Sequence, residues 1–308
     1  MPDNVLNIET LHQYNTLIGQ RTLHPLVSIV DTFEAKQFKN LSIRGNFYAL
    51  LFKQVRCGNT RFGRKCHDFQ TGTLVFKSPG EVVELNKKTI FGQNHILGIL
   101  FHPIVLNEAP LIHKKSDYSF FSYRENESLH LSEQEKQIIL NCTNNLQKEL
   151  SRDIDKFSLR LIAVHLELLM DYCLRFYERQ FITRTNINQD ILAHFNRCLE
   201  KYFQSERPEK TDLRAIEFAR EEIPQSLAYL NDLIRSESGK TLREYTRFKR
   251  IEMTKELIRT SDKTLPEIAT GLGFTDSRTL FCLFKKIVGS TPEEYKKKWG
   301  YPSNELPS

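Results

Sequence analysis

The stretch DSRTLFCLFKKIVG, residues 276–289, concentrates the side chains with most capacity for chemistry. Read as a helix, it sets Leu280, Leu283, Phe284 and Ile287 on one side. Ser277, Arg278, Phe281, Cys282 and Lys285 then lie opposite, with Lys286 beside Lys285. This outer set can recognise a partner but holds no pair that would break a bond. Arg presents a planar fork of donors, matched to two adjacent acceptors such as guanine O6 and N7 or to a phosphate. Lys presents a mobile point charge suited to phosphate. Fifty residues upstream a second run, QSLAYLNDLIRSESG, offers Ser226, Tyr229, Asn231 and Arg235 in the same manner, together with Ala228 and Asp232.

Bond-making chemistry has little support elsewhere. The six Cys are scattered and none forms a C-x-x-C pair, which suits a reducing compartment. Cys66-His67 is an isolated pair without further ligands nearby and reads as structural. No paired carboxylates or nucleophile–base set stands out. The expectation is therefore no catalytic residue, no metal ligand and no cofactor.

The elements that must carry the outer residues are legible as an internal repeat. GKTLREY (239–245) returns as GSTPEEY (289–295), and at that offset of fifty Gly239, Thr241, Glu244 and Tyr245 fall on identical residues. In the second copy Thr264 and Glu267 form a capping box, Leu265, Ile268, Ala269 and Leu272 make an apolar stripe, and Gly271 and Gly273 bracket the helix end. Thr275 or Asp276 then caps the next helix. A short helix, a Gly turn and a second capped helix with a polar outer face describe a helix-turn-helix. In the first copy Asp212 caps one helix, Ile223-Pro224 occupies the turn, Gln225 or Ser226 caps the next, and Gly239 stops it. Residues 241–258, with their own Thr241/Glu244 box, read as a helix connecting the two units. The stretch from Lys240 to Gly300 holds 14 Lys and Arg against 8 Asp and Glu, so the chain's formal +6 is concentrated there, as a polyanion partner requires.

Upstream, residues from about 40 to 105 form short β-rich runs: NFYALLFKQV, GTLVFKSP, EVVEL and HILGILFHP. Two helices follow, the first opened by a Ser132/Glu135 box with Ile138, Ile139, Cys142 and Leu146 at helical spacing. In the second, Leu161, Val164, Leu168 and Leu169 make an apolar stripe, to be covered either by a second copy of the chain or by its own β-domain. ITRTNINQD, residues 182–190, reads as a linker. The N-terminus has no signal-peptide pattern and no run is apolar enough to cross a membrane, so a cytoplasmic protein is expected.

The C-terminal segment resembles the AraC/XylS family of bacterial transcription regulators. The resemblance rests on Glu267-Ile268-Ala269, Gly273-Phe274, Asp276, Phe284-Lys285-Lys286, Gly289, Thr291-Pro292 and Tyr295, and it is firm over about the last hundred residues. GILFHP, FFSYRENESLHLSEQEK and RFYERQFITR resemble the effector-side half of one subgroup. The resemblance implies an α+β chain: a cupin-like β-barrel over 1–125, a helical dimerisation segment over 126–182, and two helix-turn-helix units over 190–300. It implies double-stranded DNA as partner, with a homodimer, and RNA polymerase as a further partner if the protein activates. The signal reaching the N-terminal half is left open between a small-molecule effector, a protein and none. The cupin metal pattern of paired His and a following Glu is absent; His95 and His102 lie seven apart and read as structural. Leu280, Phe281 and Cys282, Ile223-Pro224 and Thr254 depart from the family pattern. These departures keep open a regulator that works through protein contacts alone; a cupin-type enzyme is the remaining alternative.

Overall fold

The computed structural model describes residues 5–31, 41–54, 72–85, 95–108, 117–205 and 212–299. The chain divides into two compact units, Met1–Thr183 and Arg184–Ser308. The first is α+β and the second all α.

In the first unit the strands are β1 (Val5–Ile8), β2 (Val27–Asp31), β3 (Leu41–Gly45), β4 (Tyr48–Gln54), β5 (Gly72–Lys77), β6 (Val82–Leu85), β7 (His95–Phe101) and β8 (Leu129–Leu131). They form a five-stranded antiparallel sheet in the order β2-β7-β4-β5-β8 and a three-stranded sheet in the order β1-β3-β6. Within the smaller sheet β1 runs parallel to β3. The β-rich half expected from the sequence is thus present as two sheets. It begins earlier than residue 40, because β1, β2 and the intervening helix α1 (Leu11–Leu17) precede the runs read as strands. Residues 66 and 67 lie outside the described residues. His102 accepts a hydrogen bond from the Ile104 N–H at 3.3 Å through Nδ1, which is a turn-forming role.

Two long helices complete this unit, α2 (Glu133–Leu150) and α3 (Ser158–Thr183). The Ser132/Glu135 box opens α2 as expected, with Ser132 N–H donating to Glu135 Oε2 at 2.8 Å and Glu135 N–H to Ser132 Oγ at 3.3 Å. The core is aromatic. Phe76 of β5 meets Phe120 with ring centroids 4.4 Å apart, and Phe120 stacks on Tyr177 of α3 at 5.8 Å. The short strand β8 needs partners for its backbone, and α3 supplies them. Gln180 Oε1 accepts from the His130 N–H at 2.9 Å, and Arg179 Nη2 donates to His130 O at 2.7 Å while pairing with Glu135. On the other side of α3, Leu161, Val164 and Leu168 are 43, 44 and 48% exposed, whereas Leu169 turns into the core.

The second unit contains α4 (Thr185–Phe203), α5 (Asp212–Glu222), α6 (Leu227–Ser238), α7 (Leu242–Thr260), α8 (Leu265–Gly271), α9 (Ser277–Val288) and α10 (Pro292–Trp299). The expected linker over 182–190 is helical instead, broken only at Arg184 between α3 and α4. Its polar residues conceal a periodicity that continues downstream: Asn188, Phe195, Cys198, Leu199, Tyr202 and Phe203 are all buried along α4. Among the described residues no helix is long and apolar enough to cross a membrane.

Candidate DNA interface

The repeated heptad is one device used twice. Gly239 and Gly289 adopt φ of +69° and +82°, a left-handed conformation in which a side chain would be strained, and they end α6 and α9. Thr241 and Glu244 then exchange hydrogen bonds of 2.9 and 3.3 Å to start α7, and Thr291 and Glu294 do the same at 2.8 and 3.2 Å to start α10. The two outer helices α6 and α9 are consequently the same length and fifty residues apart throughout.

The second unit is built as its sequence indicates. Thr264 and Glu267 close the capping box of α8. Only Gly273, at φ +70°, takes the left-handed conformation in the turn; Gly271 remains helical. Asp276, rather than Thr275, is the cap of α9: its Oδ1 accepts from the Thr279 N–H at 2.7 Å and from the Thr279 hydroxyl at 3.0 Å. The Thr279 N–H first, then the Thr279 hydroxyl, and further down the neighbouring Arg278, hold the Asp276 carboxyl below the usual carboxylate range. Leu280 and Phe284 are buried, and Tyr295 packs edge-on against Phe284 at 5.5 Å. Arg278, Cys282, Lys285 and Lys286 are exposed, and Ser277 and Phe281 are half-buried beside them. Neither Arg278 nor Lys285 is in an ion pair among the described residues.

The first unit departs from its expected outer face. Tyr229 is only 4% exposed, because it lies four residues before Leu233 and joins the edge of the Leu230–Leu233–Ile234 stripe. Ser226 is the cap of α6, accepting from the Tyr229 N–H at 3.2 Å. Asn231 is occupied as a tether: its Oδ1 accepts from the Leu242 N–H at 3.0 Å, and its Nδ2 donates to Asp232 at 3.2 Å. Of the residues expected to face outward here, Arg235 alone combines positive charge with exposure.

The two helix-turn-helix copies share a hydrophobic core around the connecting helix α7. Arg250 of α7 is 4% exposed, its guanidinium between the ring of Phe203 at 4.8 Å and that of Phe274 at 4.9 Å. Phe203 ends α4 and Phe274 lies in the turn of the second helix-turn-helix copy, so one side chain joins α4 to that copy. Thr254, a departure from the family pattern, is buried and donates its hydroxyl to Arg250 O at 2.9 Å. Lys296 donates to the Lys263 carbonyl at 3.0 Å, which fastens α10 to the loop before α8.

Comparison with known proteins supports this region first. Residues 221–298 match the family model described as a helix-turn-helix domain. Over 71 residues the chain is 35% identical to the HTH-type transcriptional activator RhaR of Cronobacter sakazakii. That match covers 23% of this chain, and the chain spans about a quarter (25%) of that relative's length. Among solved structures, the C-terminal domain of AraT, a response regulator from Geobacillus stearothermophilus, aligns at TM-score 0.30 and 22% identity over 38% of this chain and 90% of that one. ToxT from Vibrio cholerae aligns at TM-score 0.30 and 13% identity over 89% of this chain and 97% of that one. The C-terminal unit thus carries a helix-turn-helix domain, matched from residue 221 to residue 298, and over part of it the chain is similar to a transcriptional activator, in line with the resemblance that the sequence motifs show.

Proposed function

We propose that the protein is a sequence-specific regulator of transcription that binds double-stranded DNA through its C-terminal unit. The observation that carries this reading is α9. Its apolar side is locked into the core by Leu280 and Phe284, and its N-terminus is fixed by the Asp276 cap. Its other side therefore presents Arg278, Cys282, Lys285 and Lys286 from a rigid element. A helix of this kind fits a major groove and reads bases chiefly from its N-terminal residues. Arg278 is the base reader in this scheme, with Ser277 beside it. Lys285 and Lys286 anchor phosphates, which sets register without reading sequence. The first unit contributes chiefly Arg235.

The N-terminal unit receives the regulatory signal, and a second copy of the chain covers the Leu161–Val164–Leu168 face of α3. Those positions, with Phe157 (also exposed), follow the four-then-three spacing of an interhelical seam. An activator would in addition contact RNA polymerase. The protein acts in the cytoplasm and needs no catalysis. Selection from a random double-stranded library with the purified full chain tests the reading. A recovered motif whose affinity falls linearly with log salt, at a slope of about −0.9 per phosphate neutralised, supports it. Absence of any enriched sequence favours the regulator that acts through protein contacts alone.

A further inference from the structure

We propose that His194, Cys198 and Glu222 form a binding site for a divalent transition metal of the zinc class. His194 and Cys198 are one turn apart on α4 and therefore share a face. Glu222 ends α5 and faces them. Their ligand atoms all lie within 4.8 Å of one another, and Cys198 Sγ is 3.7 Å from Glu222 Oε2. A tetrahedral zinc ion with bonds of about 2.0–2.3 Å holds its ligands roughly 3.5 Å apart. The observed spread closes to that with a small rotation of the outer side chains. The donor set is an imidazole nitrogen, a thiolate sulfur and a carboxylate oxygen. Zinc and its close relatives accept that combination, whereas calcium and magnesium prefer oxygen alone.

Burial is graded in the way a site needs. Cys198 is buried, His194 half-buried and Glu222 exposed, so an ion enters from the Glu222 side and its fourth position faces solvent. Glu222 Oε1 accepts from the Lys201 ammonium, and Oε2 faces the Cys198 thiol. Loading replaces the S–H bond by an S–metal bond and releases that proton to solvent. Two anionic ligands then balance the dication. Lys201 competes with the ion for the carboxylate and is displaced towards Phe218, over whose ring its nitrogen already lies at 5.5 Å. The ion would clamp α4 to the last turn of α5, immediately before the Ile223–Ser226 turn that aims α6.

Cobalt(II) titration of the metal-free, reduced full-length chain tests this without reference to DNA. One equivalent should bind with a thiolate-to-cobalt charge-transfer absorption and the intense visible bands of tetrahedral cobalt, and zinc should displace it. Cys198→Ser should abolish the charge-transfer band. His194→Ala and Glu222→Gln should each weaken binding by at least about tenfold, the cost seen even for lost outer-shell partners. His194 is half-buried on a helix face, so its variant is the one to rely on if Cys198→Ser does not fold. Cys282→Ser should change nothing, and Lys201→Met should tighten binding. The site is refuted by the absence of a charge-transfer band. It is equally refuted if the band persists unchanged in Cys198→Ser or in a folded His194→Ala.

Discussion

Arg250 Nη2 lies 3.1 Å from Asp212 Oδ1, joining the centre of the connecting helix to the first turn of α5. Arg247 Nε also reaches Asp212, at 2.6 Å. Burial disfavours the charged guanidinium of Arg250, and Asp212 opposes that shift. Its Nε and Nη2 have no well-angled hydrogen-bond partner among the described residues, so attraction to Asp212 and the faces of Phe203 and Phe274 must hold the charge. Removing one member of a buried pair is costly when it leaves the other charge uncompensated: without Asp212 the buried Arg250 loses its carboxylate, whereas without Arg250 the Asp212 carboxylate still pairs with Arg247. Asp212→Asn should therefore destabilise by about 3 kcal/mol, and Arg250→Met by clearly less. Urea melts of the two variants check the order.

Asn231 and Leu242 give a second structural prediction. The Asn231 amide looks like a base reader in the sequence but ties α6 to the first N–H of α7. Asn231→Ala should lower stability by about 1 kcal/mol, the worth of one such hydrogen bond with a partner left unsatisfied. Tyr229→Phe should likewise leave the selected DNA motif unaltered. A changed base preference in either variant, at unchanged stability, would show that these residues reach DNA.

The helix caps make stability fall in acid. Glu244 and Glu267 have ordinary carboxyl values of 4.5 and Asp276 one of 3.8, and all three are held lower, in each case first by the backbone N–H they accept from. A lowered folded-state value means that their contribution is complete above the ordinary value and disappears as pH falls through the lowered one. The triple variant Glu244→Gln, Glu267→Gln, Asp276→Asn keeps acceptors in place without titrating. Its melting temperature should depend less on pH than that of the parent chain below 4.5.

Covering the exposed face of α3 should require a second chain. Val164→Glu and Leu168→Glu place charge in the middle of that seam without touching the buried Leu166 and Leu169. Light scattering at tens of micromolar should give a dimer for the parent and a monomer for the double variant. A monomeric parent would leave the stripe as an exposed face with another role.

Much of this architecture is written locally in the chain. Capping boxes such as Ser132/Glu135, Thr241/Glu244 and Thr264/Glu267 depend on residues three apart, so they can be read without knowing the fold. The β4, β5, β6 and β7 runs are legible for the same reason, through their β-branched and aromatic content. What escapes is what depends on distant partners. β2 is buried along nearly its whole length and shows no alternation, and β1 has only four residues. The polar start of α4 hides a helix because its buried face is sparse there and becomes dense only after Phe195. Tyr229 is read as outward-facing yet is buried, and Asn231 is half-buried and held by Leu242, since both sit at stripe edges where one helical position, about 100°, decides between core and solvent. The His194–Cys198 spacing was visible as H-x-x-x-C, but its third member is supplied by another helix.

Arg278 is the side chain through which α9 would read DNA. Random-site selection with the full chain should give a motif that Arg278→Ala relaxes at one base position, with a loss of about 1–3 kcal/mol on the parent site. Lys285→Ala should instead weaken all sequences alike and reduce the salt slope by about one phosphate. An Arg278→Ala protein with the parent's motif and the parent's affinity would contradict the assignment of α9 as the reading helix.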